Sequence, residues 1–479
     1  MRNQVQLITY VDRLGGGNLA ALQRLLNGPL QGLFGGVHLL PFFDPIDGAD
    51  AGFDPIDHTR VDPRLGSWAD VAQLSQTIPV MADVIVNHMS SESPQFKDVV
   101  ARGKQSPHAS LFLTLDTVFP YGTSEQALLN VYRPRPGLPL AYVVLANGEK
   151  RIFWTSFTSM QIDIDVEGEA GERYLDSILD ALSASGVTMI RLDAVGYAIK
   201  RAGRDCFMMP ETFAFIEQFA RRACARGLEV LVEVHSYFQK QIDIARQVAW
   251  VYDFALPPLL LHAIFNRTPE ALARWIGMRP SNAITVLDTH DGIGIIDIGA
   301  DASDRKARPG LVSPEALDQL VQTIHKNSNG QSFDATGAAA SNLDLYQVNC
   351  TFYDALGRDD DAYLMARAIQ FFLPGIPQVY YVGLLAGVND MTLLARSGVG
   401  RDINRHHYDD AEIAAALQQP VVIRLLDLIR LRNSHAAFAG VFSHEVVGDT
   451  LHLRWQSGLA SIALTVDFAA LTFVINQTA

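Results

Sequence analysis

At 479 residues the chain is too long for one hydrophobic core and calls for a large domain with smaller attachments. Hydrophobic residues at 48% and charged residues at 19% are ordinary for a soluble enzyme, and a net charge of −14 argues against nucleic acid as a partner, because phosphate backbones need basic patches. Three cysteines without CxxC or paired spacing (Cys206, Cys224, Cys350) argue against a disulfide frame or a thiolate zinc site and fit a reducing cytoplasm.

The first residues, through Gln6, lack the apolar core of a signal peptide. Val5 to Tyr10 reads as a strand. A Gly-rich turn and a helical pattern (Leu19, Leu22, Leu25, Leu26) follow. Gly36 to Leu40 and Pro79 to Val86 are the next apolar strands. From Ser90 to about Glu169 the βα rhythm fails, and 89–169 is read as an inserted domain. Leu175, Ile178, Leu179 and Leu182 then mark an amphipathic helix that Gly186 stops. A strand from Val187 to Asp193, a helix from about Glu211 to Arg226, and strands at Leu228–Glu233, Val251–Phe254 and Ala283–Asp288 come next. Phe254 to Phe265, the longest apolar run, is broken by Pro257 and Pro258 and is too short to span a bilayer, so no membrane partner is expected. Residues 293–349, dense in Gly, Ala, Ser and Asp, read as a second inserted loop-rich region. A helix at Asp361–Phe372, a strand at Gln378–Tyr381 and a helix at Val421–Asn433 follow. The tail then alternates Leu451, Leu453, Trp455 and Ile462, Leu464, Val466.

Eight strand candidates separated by helices predict a (β/α)₈ barrel built from 1–88, 170–292 and 350–435, with a small antiparallel β domain at 436–479. In such a barrel the reacting groups stand just past the C-terminal ends of the strands. Those ends carry Asp50 and Phe53, then Asp83, Asn87 and His88, then Arg191 and Asp193, then Glu233 and His235, then His290 and Asp291. Each alone could be a helix cap or a structural ion pair. Arg191 and Asp193 share one strand face, so the guanidinium is expected to hold the carboxylate ionised. Glu233 ends an apolar strand, where burial favours the protonated form. An ionised acid beside a protonated one, without metal-type spacing, suggests retaining glycosyl transfer through a covalent intermediate, with Asp291 as a third acid.

The strings Asp83-Val-Ile-Val-Asn87-His88, Arg191-Leu-Asp193-Ala194, Glu233 and His290-Asp291 resemble the four motifs of the α-amylase family of retaining glycosidases and transglucosidases, and Gln161 to Asp165 resembles the fifth. Longer strings resemble the branch of that family that phosphorolyses sucrose: Ala49 to His58, Tyr132 to Gly137, Ser341 to Gln347 and Gly400 to Arg405. The resemblance implies Asp193 as nucleophile, Glu233 as general acid/base and Asp291 as transition-state stabiliser. Asp50 and Arg401 would close the far end of the glucosyl pocket. His88 and His290 would hold glucose hydroxyls, and Phe53 and Phe157 would supply apolar platforms, with Arg191, Tyr197 and His235 around them. Tyr132, Pro134, Arg135, Asp344, Tyr346 and Gln347 would line the acceptor side. It further implies sucrose and inorganic phosphate as substrates, and fructose and glucose 1-phosphate as products, with no metal or organic cofactor. Phosphorolysis of sucrose 6′-phosphate or glucosylglycerol, or hydrolysis and transglucosylation of sucrose, are the alternative readings. A homodimer is compatible with the sequence and not required by it.

Overall fold

The computed structural model describes residues 2–48, 50–132, 137–301, 306–337 and 347–478. Eight parallel strands close into a barrel: β1 (Gln6–Thr9), β2 (Gly36–Leu39), β3 (Val80–Ile85), β4 (Met189–Asp193), β5 (Glu229–Val232), β6 (Trp250–Asp253), β7 (Ala283–Thr285) and β8 (Ile376–Tyr380). They follow chain order around the ring, and β8 pairs back onto β1 through Leu7 and Val379. The strands are buried almost throughout because the outer helices cover one face and barrel-filling side chains the other. That is why they read as continuous apolar runs.

The covering helices are α1 (Leu19–Asn27), α2 (Trp68–Ser75), α3 (Glu169–Ala184), α4 (Pro210–Cys224), α5 (Phe238–Ala245), α6 (Leu256–Asn266), α7 (Asp360–Phe372) and α8 (Pro420–Ser434). In α3 the buried stripe is Leu175, Ile178, Leu179 and Leu182. Its end is set by Gly186 at φ +77°. The Gly186 N–H donates to the Ser183 carbonyl and the Val187 N–H to the Leu182 carbonyl. This paired closure of the last turn aims the chain straight into β4. In α6, Pro257 and Pro258 fall in the first turn, where a missing N–H costs nothing, so they start a helix instead of breaking one.

Between β3 and α3 the chain forms a helix (Pro94–Arg102), a hairpin (Leu140–Val144 with Lys150–Trp154) and a short strand, Gln161–Asp163, which pairs with His88–Ser90. That last pairing ties the insertion to the end of β3. The stretch read as loop-rich, 293–349, contains a 14-residue helix, Pro314–Asn327. It is capped by Ser313 and buries Leu320, Val321 and Ile324. The Gly- and Ala-rich flanks hid this spacing.

Four antiparallel strands end the chain: β9 (Val441–Val447), β10 (Thr450–Ser457), β11 (Ala460–Asp467) and β12 (Thr472–Thr478). Leu451, Leu453, Trp455, Ile462, Leu464 and Val466 form its buried face. Trp455 Nε1–H donates to the Phe372 carbonyl at the end of α7, at 2.6 Å.

Candidate active site

The parallel register of β3 and β4 sets Arg191 beside Asp83, and that of β4 and β5 sets it beside Leu231. Arg191 donates to the Asp83 carboxylate through a short contact, lies 3.0 Å from Asp193 Oδ1, and has its other terminal nitrogen 3.8 Å from Glu233 Oε1. His38 Nε2 holds Asp83 from β2 at 2.9 Å. The layering matters. Asp83 and Arg191 side chains are 0% and 3% exposed, whereas Asp193, Glu233 and Asp291 keep 15%, 12% and 11%. The hub is sealed beneath the surface, and the three acids open from it to the barrel mouth. Ala194, directly after Asp193, has φ +56°, a left-handed turn rare for a residue with a Cβ. It swings the chain sideways at the point where the carboxylate emerges.

Around these acids, Phe53 stacks on His290, with centroids 4.6 Å apart, and Arg191 lies over the Phe53 ring at 5.6 Å. His88 Nε2 lies 3.0 Å from the Phe53 carbonyl and 3.1 Å from Gln161 Nε2, and the Gln161 amide donates to Asp50 at 3.3 Å. Phe157 contacts both His88 and Tyr197, and Tyr197 packs against Tyr132 and Phe207, which makes an aromatic wall. His235 stacks on Phe254, with centroids 3.7 Å apart, and its Nε2 is 3.3 Å from Gln347 Nε2. Arg401 places Nη1 2.8 Å from Asp291 Oδ1, with Arg405 behind at 4.0 Å. The described residues among those singled out in the sequence thus fall in one connected cluster. Arg135, Asp344 and Tyr346 lie outside the described residues, as does Pro134.

Residues 30–244 match the family described as alpha amylase, catalytic domain. A sucrose phosphorylase of Agrobacterium vitis is 60% identical over 472 residues, spanning 98% of this chain and 96% of that protein. The chain belongs to the α-amylase family, in its sucrose phosphorylase branch. A second sucrose phosphorylase, from Bifidobacterium adolescentis, is 56% identical over 98% of this chain and 92% of that protein. The crystal structure of a sucrose 6F-phosphate phosphorylase from Thermoanaerobacter thermosaccharolyticum superposes with a TM-score of 0.92 at 38% identity, covering 100% of this chain and 96% of that one.

The charge balance of the cluster departs from the expectation drawn from the sequence. Arg191 was expected to keep Asp193 ionised. Burial instead pushes Asp193 well above the usual carboxylate range; Arg191 opposes this, while Glu233, Asp83 and Asp291 add to it. One guanidinium faces too many carboxylates, and Asp83 takes it first. Burial alone would raise Asp83, but Arg191 and His38 bring it to about 2. Asp193 therefore holds a proton more readily than an ordinary carboxyl does. Asp291 is the opposite case. Burial raises it, yet the Arg401 and Arg405 guanidiniums hold it far below the carboxylate range, so it stays charged. Burial lowers His290 to about 3, which leaves a neutral ring.

Glu233, His235 and Asp291 each offer one donor atom within 4.8 Å of the others, close enough on distance alone to touch one cation. Their partners fit that poorly: Arg401 and Arg405 already flank Asp291, and Arg191 flanks Glu233. A cavity of about 480 Å³ between α7, α8 and β12 (Asp361, Leu364, Arg424, Leu471, Phe473) gathers no comparable set of reactive groups. Sequence reading gave no role to His38, Gln161, Asp297 or Arg405. Gln161 and Arg405 sat inside quoted motif strings. Asp297 showed as an acid within the apolar run Ile293 to Ile298, a signal that a buried partner awaits it.

Proposed function

We infer that this chain transfers glucose from sucrose to inorganic phosphate by double displacement, giving α-D-glucose 1-phosphate and D-fructose. The observation that carries this reading is one buried guanidinium touching both Asp193 and Glu233, in a chain 60% and 56% identical to two sucrose phosphorylases. Two carboxylates on one arginine suit the separation of about 5 to 5.5 Å that a retaining mechanism needs. The 38% identity to the sucrose 6F-phosphate phosphorylase makes plain sucrose the better substrate assignment.

Asp193 attacks the anomeric carbon while Glu233 gives its proton to the fructosyl oxygen. The glycosidic C–O bond breaks, fructose leaves, and a β-glucosyl ester forms. For this the proton must sit on Glu233 and the charge on Asp193. A sugar hydroxyl donating to Asp193, together with Arg191, favours the charge on Asp193. Charged Asp291 accepts hydrogen bonds from glucose hydroxyls, and these strengthen as the ring gains positive charge. Asp50, His88 and Gln161 hold further hydroxyls against the Phe53 and Phe157 rings. A phosphate oxygen then attacks from the other face, the ester bond breaks, and Glu233 regains a proton from phosphate. Two inversions retain configuration. The reaction is assigned to the cytoplasm, in keeping with Cys206, Cys224 and Cys350 being unpaired and with the absence, among the described residues, of any helix long and apolar enough to cross a membrane.

The test is incubation with sucrose, with and without phosphate, measuring glucose 1-phosphate against free glucose. Phosphate-dependent glucose 1-phosphate is the expected result. Free glucose at the same rate in both arms would make the chain a hydrolase.

A further inference from the structure

Asp297 is wholly buried, and no step of the double displacement uses it. It lies in the loop after β7, three residues beyond Gly294, which pairs with Gln347. Both of its oxygens are engaged. Oδ2 lies 2.8 Å from Nδ1 of His235. Oδ1 accepts the Ser236 N–H at 3.1 Å and the Gln241 side-chain amide at 2.7 Å. A Cβ on residue 294 would come within 2.1 Å of Oδ2, so only glycine lets the carboxylate reach the ring. With Phe254 stacked on its face, His235 has one orientation. Its second nitrogen, Nε2, lies 3.8 Å from Glu233 Oε1 and 3.3 Å from the Gln347 side-chain amide, which accepts from it when its oxygen faces the ring.

We propose that Asp297 is a positioning residue that clamps His235 and keeps a second proton on its imidazole, so that a cation stands beside Glu233 when phosphate arrives. This rests on the phosphorolysis reading. Once fructose has left with the proton of Glu233, that carboxylate is an anion facing a second, incoming anion. A fixed imidazolium between them removes the repulsion and supplies an N–H donor to phosphate. Three acids face the ring, Asp297 from the loop after β7, Glu233 from the end of its own strand and Asp291 from beyond β7, while Arg191 lies on the same Glu233 oxygen, 3.8 Å away. Burial lowers the proton affinity of His235, but these carboxylates, Asp297 foremost, more than reverse it. An aspartate that orients a functional histidine is a recurrent arrangement, and its loss commonly costs tenfold or more.

The experiment compares wild type with Asp297→Asn and Gln241→Ala, reading the His235 titration by NMR of ring-labelled histidine and the KM for phosphate against kcat. Asp297→Asn should move the His235 midpoint down and raise KM for phosphate by about tenfold or more, with sucrose hydrolysis in the absence of phosphate changing less. Gln241→Ala takes one donor from Asp297, makes that carboxylate more basic, and should move the midpoint up. This opposite sign keeps the proposal testable if Asp297→Asn fails to fold. An unmoved midpoint and KM in Asp297→Asn, or a downward shift in Gln241→Ala, would overturn it. If wild type makes no glucose 1-phosphate, the functional reading fails on its own, and the two midpoints still decide whether Asp297 holds the proton.

Discussion

Replacing Arg191 with lysine tests the charge hub without removing its charge. The guanidinium serves Asp83 by a short contact, Asp193 at 3.0 Å and Glu233 at 3.8 Å. A lysine ammonium is a single point of charge and cannot reach both sides of that fork. It should stay with Asp83, the most deeply buried carboxylate, because an unpaired charge there costs about 3–5 kcal/mol. Asp193 then loses one charge-assisted hydrogen bond, worth roughly 1.5–3 kcal/mol, so kcat/KM for sucrose should fall roughly 10- to 150-fold. The loss carries a sign in pH. Arg191 is what pulls the raised Asp193 back down. Weakening that pull raises Asp193 further, so the acidic limb of kcat/KM should move to higher pH, by about one unit for each 1.4 kcal/mol. The assay is the pH profile of kcat/KM at saturating phosphate, with a thermal melt as the control for folding. Activity within about threefold of wild type, a difference under ~1 kcal/mol, together with an unmoved acidic limb, would refute the reasoning.

Acid should destabilise the fold through two buried histidines. His58 and His290 are each lowered by burial from 6.5 to about 3. A histidine held neutral in the fold contributes fully above 6.5 and loses that contribution as pH falls toward 3, which is about 2 kcal/mol per histidine by pH 5. Denaturant titrations at pH 7 and pH 5 should show this loss, and His58→Asn should flatten the slope; an equal slope in the variant would contradict it. Trp455→Ala should cost about 3–5 kcal/mol, because it removes a buried indole from Phe438 and Phe442 and its bond to Phe372. None of these partners touches Asp193 or Glu233, so kcat per folded molecule should hold, and a fall in kcat at unchanged melting temperature would tell against this reading.

The barrel was legible because parallel strands covered on both faces must be continuous apolar runs, and Val187 to Leu192 or Pro79 to Val86 can be little else. The site was legible for a related reason. Charged and polar residues at the ends of such runs, Arg191, Asp193, Glu233, His290 and Asp291, could each be a cap or an ion pair alone, but together they converge on the barrel mouth. What stayed hidden depends on contacts between strands. The proton balance of Asp193 turns on Asp83, which reaches Arg191 only through the β3–β4 register. Arg401 lies on Asp291, 110 positions earlier in the chain, through folding alone. The helix at Pro314–Asn327 was obscured by its Gly- and Ala-rich surroundings, and α6 by prolines that sit in its first turn. Asp297 was visible as an acid in an apolar run, but its partner, His235, is 62 residues away.

The account stands on Asp193 forming the covalent bond to glucose. The direct measurement uses Glu233→Ala with α-D-glucosyl fluoride, whose leaving group needs no acid, in the absence of phosphate. The protein is quenched, digested and mapped by mass spectrometry. One anhydroglucose unit on the peptide carrying Asp193, discharged as glucose 1-phosphate when phosphate is added, is the predicted result. Glucose attached at another residue, or turnover with no covalent adduct and with activity surviving in Asp193→Ala, would contradict it.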